Sequence, residues 1–120
     1  MPIEYLRKRA QSFGYAFNGL FHLFRTQPHA RVHLVALMGV VALGVLSDLE
    51  RWEWASVILV SVLVLSLEAL NTALESLTDL VSPEYHRLAG IAKDCAAAAV
   101  LIAAIGAVVI GAIVFLPRLR

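Results

Sequence analysis

The longest apolar stretch of this chain, residues 95–116, consists of 22 apolar and small side chains without a charge. About 20 such residues are needed for an α-helix to cross the hydrocarbon core of a bilayer. Two more apolar stretches come before it, and 60% of all residues are hydrophobic, compared with about 45–50% in soluble domains. The sequence therefore predicts an all-α integral membrane protein of one domain, residues 1–120, with spans at about 30–48, 54–80 and 93–116.

The segment ahead of the first span, residues 4–26, has the pattern of an amphipathic helix. Its bulky apolar side chains recur at helical spacing: Leu6, Phe13, Phe17, Leu20, Phe21 and Phe24. A basic helix with an aromatic face is suited to lying in the membrane interface, so we expect an N-terminal surface helix. This segment lacks an apolar stretch followed by a small-residue cleavage site, and we therefore expect the start to be mature sequence.

The basic residues are distributed unevenly around the three predicted spans. Seven of them precede the first span or lie between the second and third: Arg7, Lys8, Arg9, Arg25, Arg31, Arg87 and Lys93. The connection between the first and second spans has only Arg51, although Arg118 and Arg120 follow the third. The positive-inside rule then places the N-terminal helix and the second connection in the cytoplasm of a bacterium. A net charge of +1 gives no reason to expect a nucleic-acid partner.

A polar stripe interrupts the second span near its predicted cytoplasmic end. Its members are Glu68, Asn71, Glu75 and Asp79. At about 100° per helical residue these four side chains fall on one narrow face. Ionisable groups inside a membrane span are costly and by default mark a functional site that faces other protein. The stripe would open where ATP and magnesium are available.

These residue types match the needs of phosphoryl transfer, which uses a divalent cation, cationic groups and a carboxylate that orients the attacking hydroxyl. Glu68 is deepest in the apolar segment, and removal from water makes a carboxylate a better proton acceptor, so it is the candidate general base. Glu75 and Asp79 offer the oxygen ligands that magnesium prefers. Lys93 can neutralise phosphate, and Asn71 can hydrogen-bond a substrate or fix the carboxylates.

An ion pathway in a small oligomeric channel or transporter subunit, or a purely structural polar seam, would use the same stripe. Proton or cation flux without nucleotide would favour the pathway. The acidic residues and Lys93-Asp94 lie at one end of the spans, whereas a conduction path should be polar across its whole depth. This placement favours catalysis.

Several other polar residues have simpler interpretations. We expect residues 47–54 to form a polar outer loop, with Glu53 in solvent and Trp52 and Trp54 as interfacial anchors. Ser82 is a predicted N-cap of a short helix that Pro83 begins. The histidines are interpreted as polar interfacial or solvated groups, because no second histidine or cysteine completes a metal-binding spacing: His22, His33 and His86.

The polar residues also form an extended sequence pattern. It contains Glu68-x-x-Asn71-Thr72-Ala73-x-Glu75, then Asp79, Ser82-Pro83-Glu84-Tyr85-His86 and Ala92-Lys93-Asp94, and it is preceded by Phe13-Gly14-Tyr15-Ala16-Phe17-x-Gly19. This pattern resembles the prokaryotic diacylglycerol kinase family, small three-span membrane enzymes that include the undecaprenol kinases. The resemblance covers nearly the whole chain, and Arg31-Val32-His33-Leu34 makes it most similar to the undecaprenol kinase branch.

The resemblance implies ATP- and Mg²⁺-dependent phosphorylation of a lipid hydroxyl at the cytoplasmic interface. The acceptor would be undecaprenol, which we favour, or diacylglycerol. It also implies a homotrimer whose active sites are shared between neighbouring subunits. Position by position, the resemblance makes Glu68 the catalytic base, Glu75 a magnesium and nucleotide ligand, and Asn71 an active-site residue beside them. Nucleotide or active-site contacts are implied for three more residues: Asp79, Lys93 and Asp94.

One position departs from the family pattern. The family commonly has a second metal-binding glutamate a few residues before the arginine that matches Arg31, and Gln27 stands there in this chain. An amide oxygen can coordinate magnesium but brings no negative charge. Gln27 is therefore a weaker candidate metal ligand than Glu75.

Overall fold

The computed structural model describes residues 2–119, which form four α-helices and a short 3₁₀ helix joined by turns. The elements are α1 (Pro2–Thr26), α2 (Pro28–Ser47), α3 (Arg51–Val81), α4 (Arg87–Phe115) and the 3₁₀ helix Leu116–Leu119. Three helical segments are long and apolar enough to cross a membrane: Pro28–Ser47, Arg51–Val81 and Arg87–Leu119. The prediction of an all-α protein with three spans is confirmed.

The N-terminal helix α1 separates from the spans at Gln27. This residue is extended (φ −108°, ψ 106°) and caps α2, and Pro28 begins the new helix. Proline suits that position because its missing N–H would have no intrahelical partner there. Nearly all of α1 is exposed, including the predicted aromatic face, and only Leu23 is buried. The exposed aromatic side chains leave α1 an apolar face free to contact lipid.

The central element of the bundle is α3. It packs along α4 over much of its length, and it contacts α2 and α1 over shorter regions. At 31 residues α3 is about half as long again as α2, which has 20. One face of α3 carries its buried side chains, which extend no further along the helix than Thr72: Glu53, Val57, Val64, Glu68 and Thr72.

A small core lies at the end of the bundle where α2 connects to α3. We call this end the outer end, because the sequence predicts that it faces away from the cytoplasm. Leu49, Val57 and Val114 are buried there and pack against partly buried side chains that include Trp54. Gly44 is required by this packing, because a Cβ at that position would lie 2.7 Å from the Trp54 ring. Trp54 is therefore partly buried against this core, and its role as an interfacial anchor stays a prediction.

The outer connection is shorter than expected, because α3 begins at Arg51. Only residues 48–50 lie between the helices, and Asp48 makes the turn in the left-handed conformation (φ 54°). The backbone N–H of Glu50 donates to Glu53 Oε1 (3.2 Å), which satisfies a donor at the helix start. Glu53 is 5% exposed and pairs with Arg118 of the 3₁₀ helix. The prediction that Glu53 is solvated in a loop is therefore wrong.

The connection from α3 to α4 also differs from the prediction. Ser82 ends α3 instead of starting a helix, and its hydroxyl donates to the Glu84 carbonyl (2.9 Å). A residue that precedes a proline is disfavoured in the α conformation, which explains why α3 stops before Pro83. His86 is the N-cap of α4, where its Nδ1 accepts from the Leu88 N–H (3.1 Å).

Candidate active site

Glu68 lies on the buried face of α3, one turn from Val64 and one turn from Thr72, and it is 4% exposed. Thr72 does not contact its carboxylate, since the Thr72 hydroxyl donates to the Glu68 backbone carbonyl (2.9 Å). The residue predicted to be the base is therefore a carboxylate held inside the protein within an apolar helix. Such a group is costly unless it is paired.

The group that approaches the Glu68 carboxylate is His33 of α2. His33 Nε2 lies 3.3 Å from Glu68 Oε1, and the two side chains are 26% and 5% exposed. The sequence interpretation of His33 as an interfacial polar group missed this contact. An available signal was the rule that an ionisable residue within a span seeks an ionisable partner, since both residues lie in predicted spans.

Asn71 and Glu75 come next along the polar stripe, and both are half-buried. The Asn71 side-chain nitrogen donates to Glu75 Oε1 (3.4 Å). Asn71 Oδ1 is buried and has no hydrogen-bond partner within residues 2–119. Buried polar atoms are normally satisfied, so this amide oxygen is available to a ligand.

At the far end of the stripe, α4 contributes a cation. Lys93 Nζ lies 2.6 Å from Asp79 Oδ1, and the two side chains are 41% and 64% exposed. The next residue, Asp94, is exposed and takes no part in this pair. The structure thus brings Asp79 of α3 and Lys93 of α4 together on an accessible surface, while Asp94 lies beside them in sequence only.

The donor set suits magnesium bound together with phosphate. Within residues 2–119 of one chain, no three histidine, cysteine or acidic side chains are grouped as a metal site. Mg²⁺ is usually held by one or two carboxylates, with substrate phosphates and water completing its octahedral shell. The carboxylate of Glu75 and the unpartnered oxygen of Asn71 fit that pattern. Gln27 donates its amide N–H to the Thr26 hydroxyl (3.4 Å), and its role as a second ligand stays a prediction.

Comparison with known proteins points to one family. A family model described as prokaryotic diacylglycerol kinase matches residues 14–115. A diacylglycerol kinase of Synechocystis sp. is 50% identical over 109 residues, which are 90% of this chain and 62% of that protein. An undecaprenol kinase of Bacillus subtilis is 38% identical over 95% of this chain and 93% of its own length. A diacylglycerol kinase of Escherichia coli is 36% identical over 80% of this chain and 79% of its own.

Proposed function

The chain belongs to the prokaryotic diacylglycerol kinase family, and we propose that it is a lipid kinase that phosphorylates a membrane lipid hydroxyl with ATP. The observation that carries this proposal is the buried Glu68 carboxylate within an apolar span, followed along the same helix by polar groups that reach an exposed lysine. One end of this series suits a lipid alcohol in the bilayer, and the other suits an anionic nucleotide from the aqueous phase.

The proposed reaction begins with the lipid hydroxyl at Glu68. The carboxylate accepts the hydroxyl proton while the hydroxyl oxygen forms a bond to the γ-phosphorus of ATP. The bond between the γ-phosphorus and the β,γ-bridging oxygen breaks, and ADP leaves with that electron pair. The products are the lipid phosphate, ADP and a proton on Glu68 that is later lost to water.

The nucleotide end of the site is built from residues of two helices. Lys93 supplies a positive charge for the phosphates, and Asp79 holds the lysine side chain in place at 2.6 Å. Glu75 and Asn71 would hold the metal, and bound Mg²⁺ supplies charge neutralisation on the phosphate oxygens. We include the exposed Asp94 among the nucleotide contacts on the resemblance alone.

The acceptor is proposed to be undecaprenol or diacylglycerol, since relatives with either name match this chain. We also propose that the site faces the cytoplasm of a bacterial plasma membrane and that the protein acts as a homotrimer with shared sites. The distribution of basic residues supports the orientation. The exposed apolar faces of the spans leave room for helix partners in the membrane.

The direct test is transfer of labelled phosphate from ATP to undecaprenol and to diacylglycerol, measured side by side in one detergent. We expect phosphorylation of at least one lipid that stops when magnesium is chelated. Absence of transfer to both would reject the kinase. The same preparation in liposomes tests the channel alternative, which requires proton or cation flux without nucleotide.

A further inference from the structure

The contact between His33 and Glu68 joins two spans at the proposed base. His33 Nε2 reaches Glu68 Oε1 at 3.3 Å, and no other charged side chain of residues 2–119 lies within ion-pair distance of that carboxylate. Lys93 is engaged with Asp79, which is eleven residues or about 16 Å further along α3. His33 is thus the one ionisable side chain in this part of the chain that holds Glu68.

The surroundings of His33 are otherwise apolar. It lines the end of a cleft of about 100 Å³ among α2, α3 and α4, in which Ser61 is the only other polar lining side chain from residues 2–119. From α4 this cleft receives Ala107, Ile110 and Gly111, so α4 brings no titratable group towards the imidazole here. Ser61 is itself engaged, because its hydroxyl donates to the Val57 carbonyl (2.7 Å). The imidazole therefore has Glu68 as its polar neighbour.

A buried carboxylate with a single partner is held at one oxygen. In this geometry His33 engages Oε1, and Oε2 is left to accept a proton from a substrate. The imidazole also offers this buried acidic group a polar partner, and a buried charged group is costly unless it has one. Without His33, the Glu68 carboxylate would lose its one ionisable partner within residues 2–119.

We propose that His33 is a positioning residue for Glu68. This inference rests on the proposed function, and it assigns His33 a role in the same phosphoryl transfer. His33 orients the carboxylate so that Glu68 Oε2 takes the proton of the lipid hydroxyl as the new O–P bond forms and ADP departs. The proton stays on Glu68 until water removes it, and His33 does not itself touch the lipid or the nucleotide.

The test compares two substitutions at His33 in the full-length protein. His33→Leu removes the donor, and because misplacement of a reacting group by about 1 Å can cost 100-fold, we expect kcat to fall about 10- to 100-fold. His33→Gln keeps an N–H near the position of Nε2 and should restore most of kcat. The KM for ATP should change little in either variant, because His33 contacts Glu68, whereas the Asp79–Lys93 pair proposed to bind the phosphates lies about three helical turns further along α3. His22→Leu, which removes an exposed histidine from α1, is the matched control and should keep the parent kcat.

Two kinetic outcomes would overturn the proposal. If both His33 variants keep the parent kcat, Glu68 does not need the imidazole. If both lose activity equally together with thermal stability, His33 only supports the fold.

A second measurement separates this inference from the kinase proposal. Unfolding midpoints in detergent are compared for His33→Leu, Glu68→Gln and the double variant. Substitutions of two residues in contact have non-additive effects on stability. The unfolding midpoint of the double variant should therefore fall by less than the sum of the falls in the two single variants. Additive losses would overturn the pairing whether or not the protein phosphorylates lipid. If the stability losses are non-additive but the parent protein phosphorylates no lipid, the kinase proposal is rejected, whereas the contact between His33 and Glu68 is supported.

Discussion

Two carboxylates on α3 are buried to nearly the same extent, Glu53 at 5% exposure and Glu68 at 4%, but their surroundings differ. Glu53 accepts the Glu50 N–H and pairs with Arg118, whose guanidinium also donates to the Ser47 carbonyl (3.3 Å). Glu68 has a histidine at 3.3 Å and a neighbouring amide oxygen without a partner. Burial alone therefore does not identify a reactive acid. The number and type of its partners distinguish a structural carboxylate from one that is available for chemistry.

The largest expected effect comes from replacing each acid by its amide. Glu68→Gln removes the proposed base at almost constant volume, so kcat should fall about 10²- to 10⁴-fold while the protein still folds. Glu53→Gln is the matched control, and its kcat per folded molecule should stay close to that of the parent. Lipid phosphorylation and thermal unfolding, measured on both variants, check this contrast. If both variants lost kcat equally, the distinction between a reactive Glu68 and a structural Glu53 would be wrong.

The next effect concerns the stability of the outer end. Arg118→Met leaves the Glu53 carboxylate with only a backbone N–H, so the free energy of unfolding should fall by about 1–3 kcal/mol. Arg51→Met is the control, because Arg51 is exposed and forms no ion pair within residues 2–119. Denaturant unfolding in detergent measures both. An Arg118 variant as stable as the Arg51 variant would show that the ion pair contributes nothing.

A smaller loss of stability is expected from Gly44→Ala. The added methyl group would meet the Trp54 ring at 2.7 Å and Leu49 at 3.0 Å. Overpacking of this kind costs about 1–3 kcal/mol, and we expect the low end of that range because the Trp54 ring is only partly buried. Gly39→Ala adds the same group to the same helix where nothing lies within 4 Å, and it should not destabilise the protein. Thermal unfolding of the pair tests whether the outer end is the tightly packed one.

The smallest effect on stability is expected at the exposed end of the polar stripe. Asp79→Asn breaks the pair with Lys93, but the two side chains are 64% and 41% exposed, and ion pairs accessible to solvent add little to stability. The unfolding midpoint should stay unchanged, while the KM for magnesium-bound ATP should rise severalfold because Lys93 is no longer held in place. Steady-state kinetics with varied ATP measure the change. A marked loss of stability with an unchanged KM would make this pair structural, like that of Glu53.

The parts of the fold that depend on local pattern were predictable from the sequence. The long apolar stretches predicted the three spans, and Pro28 predicted the break after α1. The stripe from Glu68 to Asp79 followed from helical periodicity, because residues about two turns apart share a face.

The misses concern interactions between segments that lie far apart in sequence. Glu53 looks like a loop residue until Arg118, 65 residues away, is placed beside it. His33 and Glu68 meet only once the register of α2 against α3 is known. Ser82 resembled an N-cap because serine before proline fits the start of a helix, but the preceding helix continues as far as Val81.

The unequal lengths of α2 and α3 would set the level of Glu68 within a bilayer. The three-residue connection at residues 48–50 keeps their outer ends nearly level, and α2 spans about 30 Å, the thickness of a typical hydrocarbon core. Counted from the same level, about 30 Å along α3 ends close to Glu68. If α2 just crosses the hydrocarbon core, the last ten or so residues of α3 would therefore lie in the headgroup layer. An alcohol group that already resides at the boundary between acyl chains and headgroups would meet the carboxylate without being lifted out of its leaflet. In a thicker bilayer Glu68 would be drawn below that boundary, and in a thinner one it would stand above it.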